Sequence, residues 1–398
     1  MSRVLIITGQ FIPYTKSVGG ILRVYSFINS LKKKHKVHLI TSKSVTKKKY
    51  GHLGLSKKSL KDVNLYYIKN KSSKFILSIF NFKILRNFFY LLGFDYVFNI
   101  NKEYLRISNQ IIEKKKIDYV IISSPPFSLF YLVRKIRLKF KQIKIILDYR
   151  DGWSTRIDNF FINPVKLIIK NYIEKEILKH SDHVITATYK IYFKLSFLIK
   201  DKLKVDLLRN GFLYKPKILE KKNKQIRIGY FGLISEDSSS YRNIRIVYDA
   251  IKNNRNLQKK LIFEFYGNNE INDKDIKNFK VFKFKNNLKY KKALSKMTEM
   301  DYLLVLHTEK STSEEMVTSK FYDYLASRTP IVNICSGKNE VGKMIKKLNL
   351  GYNFDYEKNN LEKFFIRLKK KKKKIKWKKN FDIYSRKYQN KKLLNIIK

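Results

Sequence analysis

The stretch KIILDYRDGW, Lys144–Trp153, decides the fold class. Ile145, Ile146 and Leu147 stand in succession, so an extended segment here is apolar on both parities. A strand with one wet face alternates apolar and polar residues. One that is apolar on both faces lies in a sheet covered on both sides, as parallel strands flanked by helices are. The polar end, Asp148 to Gly152, reads as a strand terminus and a turn.

The same double-sided pattern recurs in both directions from this point. Strands are expected at Arg3–Thr8, Lys36–Thr41, Asn64–Ile68, Asp118–Ser123, Lys144–Arg150 and His183–Thr188. A charged, aperiodic stretch with a proline, KPKILEKKNK (Lys215–Lys224), reads as a linker. The rhythm then restarts at Arg227–Phe231, Leu261–Tyr266, Val281–Phe284, Asp301–His307 and Pro330–Ile334. Helical patterns such as RNIRIVYDAIK and KKALSKMTEM separate these strands. Strand and helix alternating twice over, with one linker, implies two doubly wound, Rossmann-like α/β domains. The expected division is 1–215, 216–379 and a C-terminal helix, 380–398, that packs back on the first domain.

The chain has 398 residues, 44% of them hydrophobic, so it can bury a core and is not a disordered polymer. Its one cysteine, Cys335, excludes an internal disulfide framework, and 6 His leave no zinc-type cluster. This usage reads as cytoplasmic. The apolar run after Arg3, VLIIT, is too short for a signal-peptide core. The apolar, basic stretch Phe75–Ile100 is interrupted by Asn81, Lys83, Arg86, Asn87 and Asp95. It therefore reads as a core helix pair or as an interfacial segment, not as a span. Lysine and arginine number 87 against 32 acids, a formal charge of +55. Such a field attracts nucleic acid, anionic lipid or phosphorylated small molecules alike. Lysines here also travel with Asn and Ile, the residues of AT-rich codons. The run Lys369–Lys374 reads as a solvated face or a docking site.

Four places carry residues suited to chemistry. Gly19 and Gly20 precede an amphipathic helix, where backbone amides and a helix N-terminus favour a phosphate; a tight turn alone would also use them. Asp148, Arg150 and Asp151 fall at the carboxyl end of a strand, where open α/β sheets bind ligands. They suit proton acceptance or hydroxyl orientation, or equally a loop-stitching ion pair. Trp153 suits sugar stacking or core packing. In the second half, Thr318 or Ser319 reads as an N-cap, and Lys320 falls in the first turn, where a cation opposes the helix dipole. An anion at that helix start would account for it, with Asp323 one turn on to take a ribose diol and Glu315 eight residues before Asp323. A solvated Lys–Asp pair is the other reading. Gly232 heads a loop to Arg242, again just before a helix.

In that order, these segments resemble glycosyltransferase family 4, the retaining group with the GT-B fold. The resemblance rests on Pro13, Gly19, Gly20 and Arg23; on DYVIISSPPFS (Asp118–Ser128) and LDYRDGW (Leu147–Trp153); on EKEILKHSDHVITAT (Glu174–Thr188) and RNGF (Arg209–Phe212); and on SKFYDYLASRTPIV (Ser319–Val332). It covers nearly the whole chain, and the second and third of these segments are similar to a subgroup that builds bacterial capsule and O-antigen polysaccharides. It implies that Gly19 and Gly20 meet the donor diphosphate, and that Lys320 and Arg242 neutralise its charge beside Gly232. It further implies that Asp323 and Glu315 bind the donor, that Asp151 lies at the acceptor hydroxyl, and that Arg150 and Trp153 lie on the acceptor side. Asp323 stands where the family usually has Glu, and Leu233 where an arginine often follows the glycine.

The implied activity is transfer of a hexose from a UDP- or GDP-linked donor to a polyprenyl-diphosphate-linked or oligosaccharide acceptor, at the anionic inner leaflet of the plasma membrane. The implied mechanism uses no cofactor and no catalytic metal, and no Asp-x-Asp motif suited to a divalent ion is visible. Three other readings stand beside it: a basic nucleic-acid-binding protein, an epimerase or phosphorylase of the same fold, and a non-catalytic homologue. No recognised nucleic-acid module is present, and specific nucleic acid is not an expected partner.

Overall fold

A computed structural model describes residues 1–15, 18–43, 53–69, 92, 95, 98–154, 164–199, 204–219, 224–236, 242–307, 314–335, 339–355, 357–368, 375 and 379–398. Most of Phe75–Ile100, all of Lys369–Lys374 and part of the expected linker lie outside the described residues. The chain forms two compact units, Met1–Asn210 with Arg386–Lys398, and Gly211–Ser385.

The first unit is built on seven strands: β1 (Arg3–Thr8), β2 (Lys36–Ser42), β3 (Val63–Ile68), β4 (Tyr119–Ser124), β5 (Lys144–Tyr149), β6 (His183–Thr186) and β7 (Val205–Leu207). They lie in the order β3-β2-β1-β4-β5-β6-β7, each pair parallel. Helices α1 (Leu22–Leu31), α2 (Asn101–Lys115), α3 (Leu132–Lys139), α4 (Pro164–Lys179) and α5 (Tyr189–Ile199) belong to this unit. Val4 to Ile7 are all fully buried, so consecutive side chains on opposite faces are both out of water. Burying each such side chain stabilises by about 1.5–3 kcal/mol.

The second unit repeats the plan. Its main strands are β8 (Ile226–Phe231), β10 (Leu261–Tyr266), β12 (Phe282–Lys285), β13 (Tyr302–Leu306), β14 (Ile331–Ile334) and β15 (Gly351–Phe354), with β9 (Ile234–Ser235) and β11 (Asn269–Glu270) paired apart from them. The sheet runs β12-β10-β8-β13-β14-β15, all parallel. The helices are α6 (Arg245–Ile251), α7 (Arg255–Lys260), α8 (Lys274–Asn278), α9 (Tyr290–Thr298), α10 (Ser319–Ser327), α11 (Glu340–Leu348) and α12 (Lys358–Arg367). The last helix, α13 (Arg386–Ile396), returns to the first unit and lies on α1. There Asn390 donates to the Ser26 carbonyl at 2.8 Å and to the Ser30 hydroxyl at 2.9 Å, and the Gln389 side chain accepts from the Arg209 amide at 2.8 Å.

One polar network ties the first unit together from within. Arg23, in the first turn of α1, donates to Asp148 on β5 at 2.8 Å and to the Leu208 carbonyl at 2.7 Å. Ser123 on β4 donates to the other Asp148 oxygen at 2.7 Å. Arg23 and Asp148 are 2% and 0% exposed. Asp148 is thus an internal anchor for α1, not a residue of the ligand-facing edge. Removing one partner of a buried pair leaves an uncompensated charge, at about 3–5 kcal/mol, whereas replacing both is often near neutral. Asp148→Ala is expected to lower unfolding stability by about that amount in a urea titration, and the double variant Arg23→Met/Asp148→Leu to recover most of it. Equal losses in the two would show that the pair does not act as a unit.

Candidate functional site

Both main sheets reverse direction of winding at one point, between β1 and β4 in the first unit and between β8 and β13 in the second. Successive crossovers leave such a point on opposite sides, which opens a crevice outside the carboxyl ends of the strands. In the second unit that crevice is lined by the residue after β8, the residue after β13 and the start of α10.

The residue after β8 is Gly232, at φ +140°. Gly267, after β10, lies against it at φ +154°, and a Cβ on Gly267 would stand 2.2 Å from the Gly232 carbonyl oxygen. Only glycine fits there, and the two backbones close into a flat floor. The Phe231 amide donates to the Tyr324 hydroxyl of α10 at 3.0 Å, which fixes the helix against the end of β8. Lys320 then projects from the first turn of α10 over this floor. Its Nζ lies 3.0 Å from where a Gly232 Cβ would be, donates to the Tyr230 hydroxyl at 2.7 Å, and stands 4.0 Å from the centre of the Tyr230 ring. The Tyr230 hydroxyl in turn donates a hydrogen bond to the Leu233 carbonyl at 3.0 Å.

The start of α10 carries an excess of positive field. Its first turn holds no acid, and the Thr318 hydroxyl at the N-cap is buried without a hydrogen-bond partner among the described residues. A helix N-terminus already attracts anions through its free amides and dipole, and Lys320 adds a full charge. Burial, and then the charge of Arg242, lower the Lys320 ammonium to a pKa of about 7. His307, directly after β13, is 0% exposed, and neither ring nitrogen has a hydrogen-bond partner among the described residues. Burial first, and Lys320 second, hold it down to about 4, so it is a neutral imidazole at pH 7. A bound anion would supply a counter-charge to Lys320, since the first turn of α10 holds no acid.

Gly232, Lys320 and Arg242, all proposed from sequence for one function, are therefore brought together. Asp323 and Glu315 are both buried. Asp323 accepts from the Tyr290 hydroxyl on α9 at 2.7 Å, so one of its oxygens is already engaged. Asp273-Lys274-Asp275 does form an Asp-x-Asp triplet, but the Asp273 carboxylate caps α8 at 2.9 and 3.2 Å and pairs with Arg245 at 2.7 Å. Among the described residues no group of three or more His, Cys, Asp and Glu is placed to hold a metal ion.

In the first unit, Gly19 is exposed and Gly20 half-buried just before α1. The Gly20 carbonyl accepts from Arg150, whose other nitrogens donate to the Pro125 carbonyl and, at 3.3 Å, to the Ser124 carbonyl. Arg150 thus clamps the loops that follow β1 and β4 across the switch point. It positions the Gly20 loop. Trp153 follows the core-packing reading: it is 3% exposed and stacks on Phe127 at 5.5 Å. Asp151 is exposed beyond β5. Sequence reasoning missed Tyr230, His307 and Tyr290. It also missed Glu174, buried on α4, bonded by the Ser154 hydroxyl and pushed up by burial to a pKa of about 7.

No family model and no curated protein matches the chain. Solved structures match it in architecture. The sucrose-phosphate synthase of Thermosynechococcus elongatus gives a TM-score of 0.61 at 11% identity, over 92% of this chain and 89% of that one. Anabaena HepE in complex with UDP and glucose gives 0.56 at 10% identity, over 92% and 89%. The UDP-GlcNAc 2-epimerase of Methanocaldococcus jannaschii gives 0.52 at 12% identity, over 99% and 99%. With two parallel, doubly wound Rossmann-like domains and these neighbours, the chain has the GT-B fold.

Proposed function

We propose that the chain is a retaining glycosyltransferase that moves a sugar from a UDP- or GDP-linked donor to a lipid-linked or saccharide acceptor in the building of a surface polysaccharide. One observation carries the reading: Lys320, the glycine floor at Gly232 and the start of α10 converge at the switch point of the second unit. A departing nucleoside diphosphate gathers negative charge on its phosphate oxygens. Cations and amides already fixed at that place stabilise the transition state without reorganising. Arg242 adds charge to the same cluster. Asp323, steadied by Tyr290, would meet the ribose, and Glu315 would support the donor beside it. Gly19 and Gly20 would meet a diphosphate through their backbone amides, with Arg150 holding the Gly20 carbonyl. Asp151 would lie at the acceptor hydroxyl, whose proton passes to the departing phosphate oxygen. The UDP and glucose held by Anabaena HepE support the donor class. The basic charge suits a protein working against an anionic membrane surface.

Calorimetric titration tests the donor site. UDP or GDP is expected to bind at micromolar concentration, and Lys320→Ala to weaken that binding by roughly 10- to 100-fold, the worth of a charge-assisted hydrogen bond. If only single-stranded RNA bound, with a steep salt slope, the nucleic-acid reading would take its place.

Protonation gives a second handle. Free Lys320 loses its proton as pH rises through about 7, and a bound diphosphate holds that proton on. Nucleotide binding at pH 8 should therefore take up protons, and affinity should fall from pH 7 to 9, a window above the phosphate's own ionisation near ~6. Titrations in buffers of different ionisation enthalpy read the uptake directly; uptake equal in wild type and Lys320→Ala would contradict the assignment.

Transfer from a UDP- or GDP-hexose should persist in EDTA. Complete loss restored by manganese would sink the metal-independent mechanism. Release of a C2-epimerised sugar without an acceptor would point to the epimerase activity of a structural neighbour.

A further inference from the structure

A cavity of about 430 Å³ opens in the second unit at the amino ends of β8, β10 and β12. It lies at the other end of the sheet from Gly232: β8 has 6 residues, which sets the two apart by roughly 20 Å. Its floor is the edge of the core, with Leu261 and Val281 at 0% and 4% exposure. Four cations stand around it: Arg255 and Lys259 on α7, Lys280 just before β12, and Lys283 within that strand. All four are exposed, and none of their side chains has a hydrogen-bond or ion-pair partner among the described residues. Other cations of this unit find acids: Lys252 pairs with Asp249 at 2.7 Å, Arg245 with Asp273 at 2.7 Å and Lys296 with Glu299 at 2.8 Å. Among the described residues neither an acid nor an aromatic lines the cavity. Its walls are held in place. The Gln225 side-chain amide donates to the Lys259 carbonyl at 3.1 Å, and the Lys260 ammonium to the Phe365 and Ile366 carbonyls at 3.0 and 2.6 Å.

We propose that this cavity is a second anion site, built for a small molecule that bears two or more phosphates and no nucleobase. A cleft lined by one sign of charge over a low-dielectric floor focuses its field and concentrates counter-ions. The cations approach from two walls, α7 and β12, so a lone charge satisfies one wall while a run of phosphates reaches both. A site without aromatics offers a nucleobase no platform. That also disfavours single-stranded nucleic acid, which stacks its bases on such rings. Net charge alone does not select the place. Exposed lysines are common in a chain of formal charge +55, and what distinguishes these is the enclosed space they share. The size of that space falls within the range of small-molecule sites. The inference does not rest on the donor reading.

The test must separate this cavity from the general field and from the crevice beside Gly232. Inorganic tripolyphosphate is titrated calorimetrically into the full chain at about 0.15 M salt, which screens charges more than about 8 Å apart. Wild type should bind it, and Lys320→Ala should keep one equivalent. Arg255→Ala/Lys283→Ala, and independently Lys259→Ala/Lys280→Ala, should weaken that equivalent by about tenfold or more. Lys346→Ala/Lys347→Ala removes the same charge from exposed positions on α11 and should leave it unchanged. All these side chains are exposed, so the thermal transitions of the variants should match that of wild type. Equal weakening by the Lys346/Lys347 pair, or none by either cavity pair, overturns the proposal. So does single-stranded RNA that binds more tightly than tripolyphosphate and is lost in the same cavity variants. A wild type that binds tripolyphosphate in this way but not UDP or GDP would strike the donor reading and leave this one standing.

Discussion

The structure depends on one constraint: a parallel strand buried on both faces must have helices on both sides of its sheet. Chain that enters such a sheet in the middle and builds outward must at some point turn back and build the other way. Here that happens twice, at β1 and β4 and again at β8 and β13. The crevice at each reversal follows from winding and needs no residue of its own. Residues then specialise what the winding leaves open, and they do so differently in the two units. In the first, Arg150 spends its guanidinium on backbone carbonyls and closes the loops on each other. In the second, the glycines keep the floor low and a lysine stands over it.

The arrangement around Lys320 opposes the preferences of its parts. A cation in a helix's first turn, close to Arg242 and partly withdrawn from water, is unfavourable on three counts. Its contacts with Tyr230, a hydroxyl and a ring face, offset part of this without supplying a counter-charge. Local rules broken in one place, with the surroundings built to tolerate it, are the mark of a site and not of a packing detail. His307 shares the neighbourhood and stays neutral, so the charge in this part of the crevice rests on Lys320 and Arg242.

Much of the fold was legible in the sequence because double-sided apolar runs are hard to mistake, and β1 and β10 begin and end where the pattern does. Of the strands that were not foreseen, β9 and β11 have two residues each, and β7 and β15 lie at the edges of the main sheets, are short, and in GYNF (Gly351–Phe354) show little of the pattern. Site residues divide on a similar principle. Gly232 and Lys320 were legible because a strand-end glycine and a misplaced charge are local anomalies. The contacts of Trp153, Arg150 and Asp323 were not, because their partners Phe127, Gly20 and Tyr290 are remote in sequence and only folding reveals them. Tyr230 was hidden as one more apolar-compatible residue in a buried strand. Arg255, Lys259, Lys280 and Lys283 were hidden among the many cations of the chain, and only folding brings those of α7 and β12 around one cavity.

The return of α13 to α1 has a consequence for the order in which the protein is made. Asn390 and the Ser26 carbonyl it holds are 364 residues apart. As the chain leaves the ribosome, the first unit has its sheet and five described helices long before its last helix exists. Until then the outer side of α1 waits uncovered while the whole second unit is synthesised and folds. The first unit to emerge is thus the last to be finished, and an early stop codon that spares the second unit entirely would still leave the first incomplete.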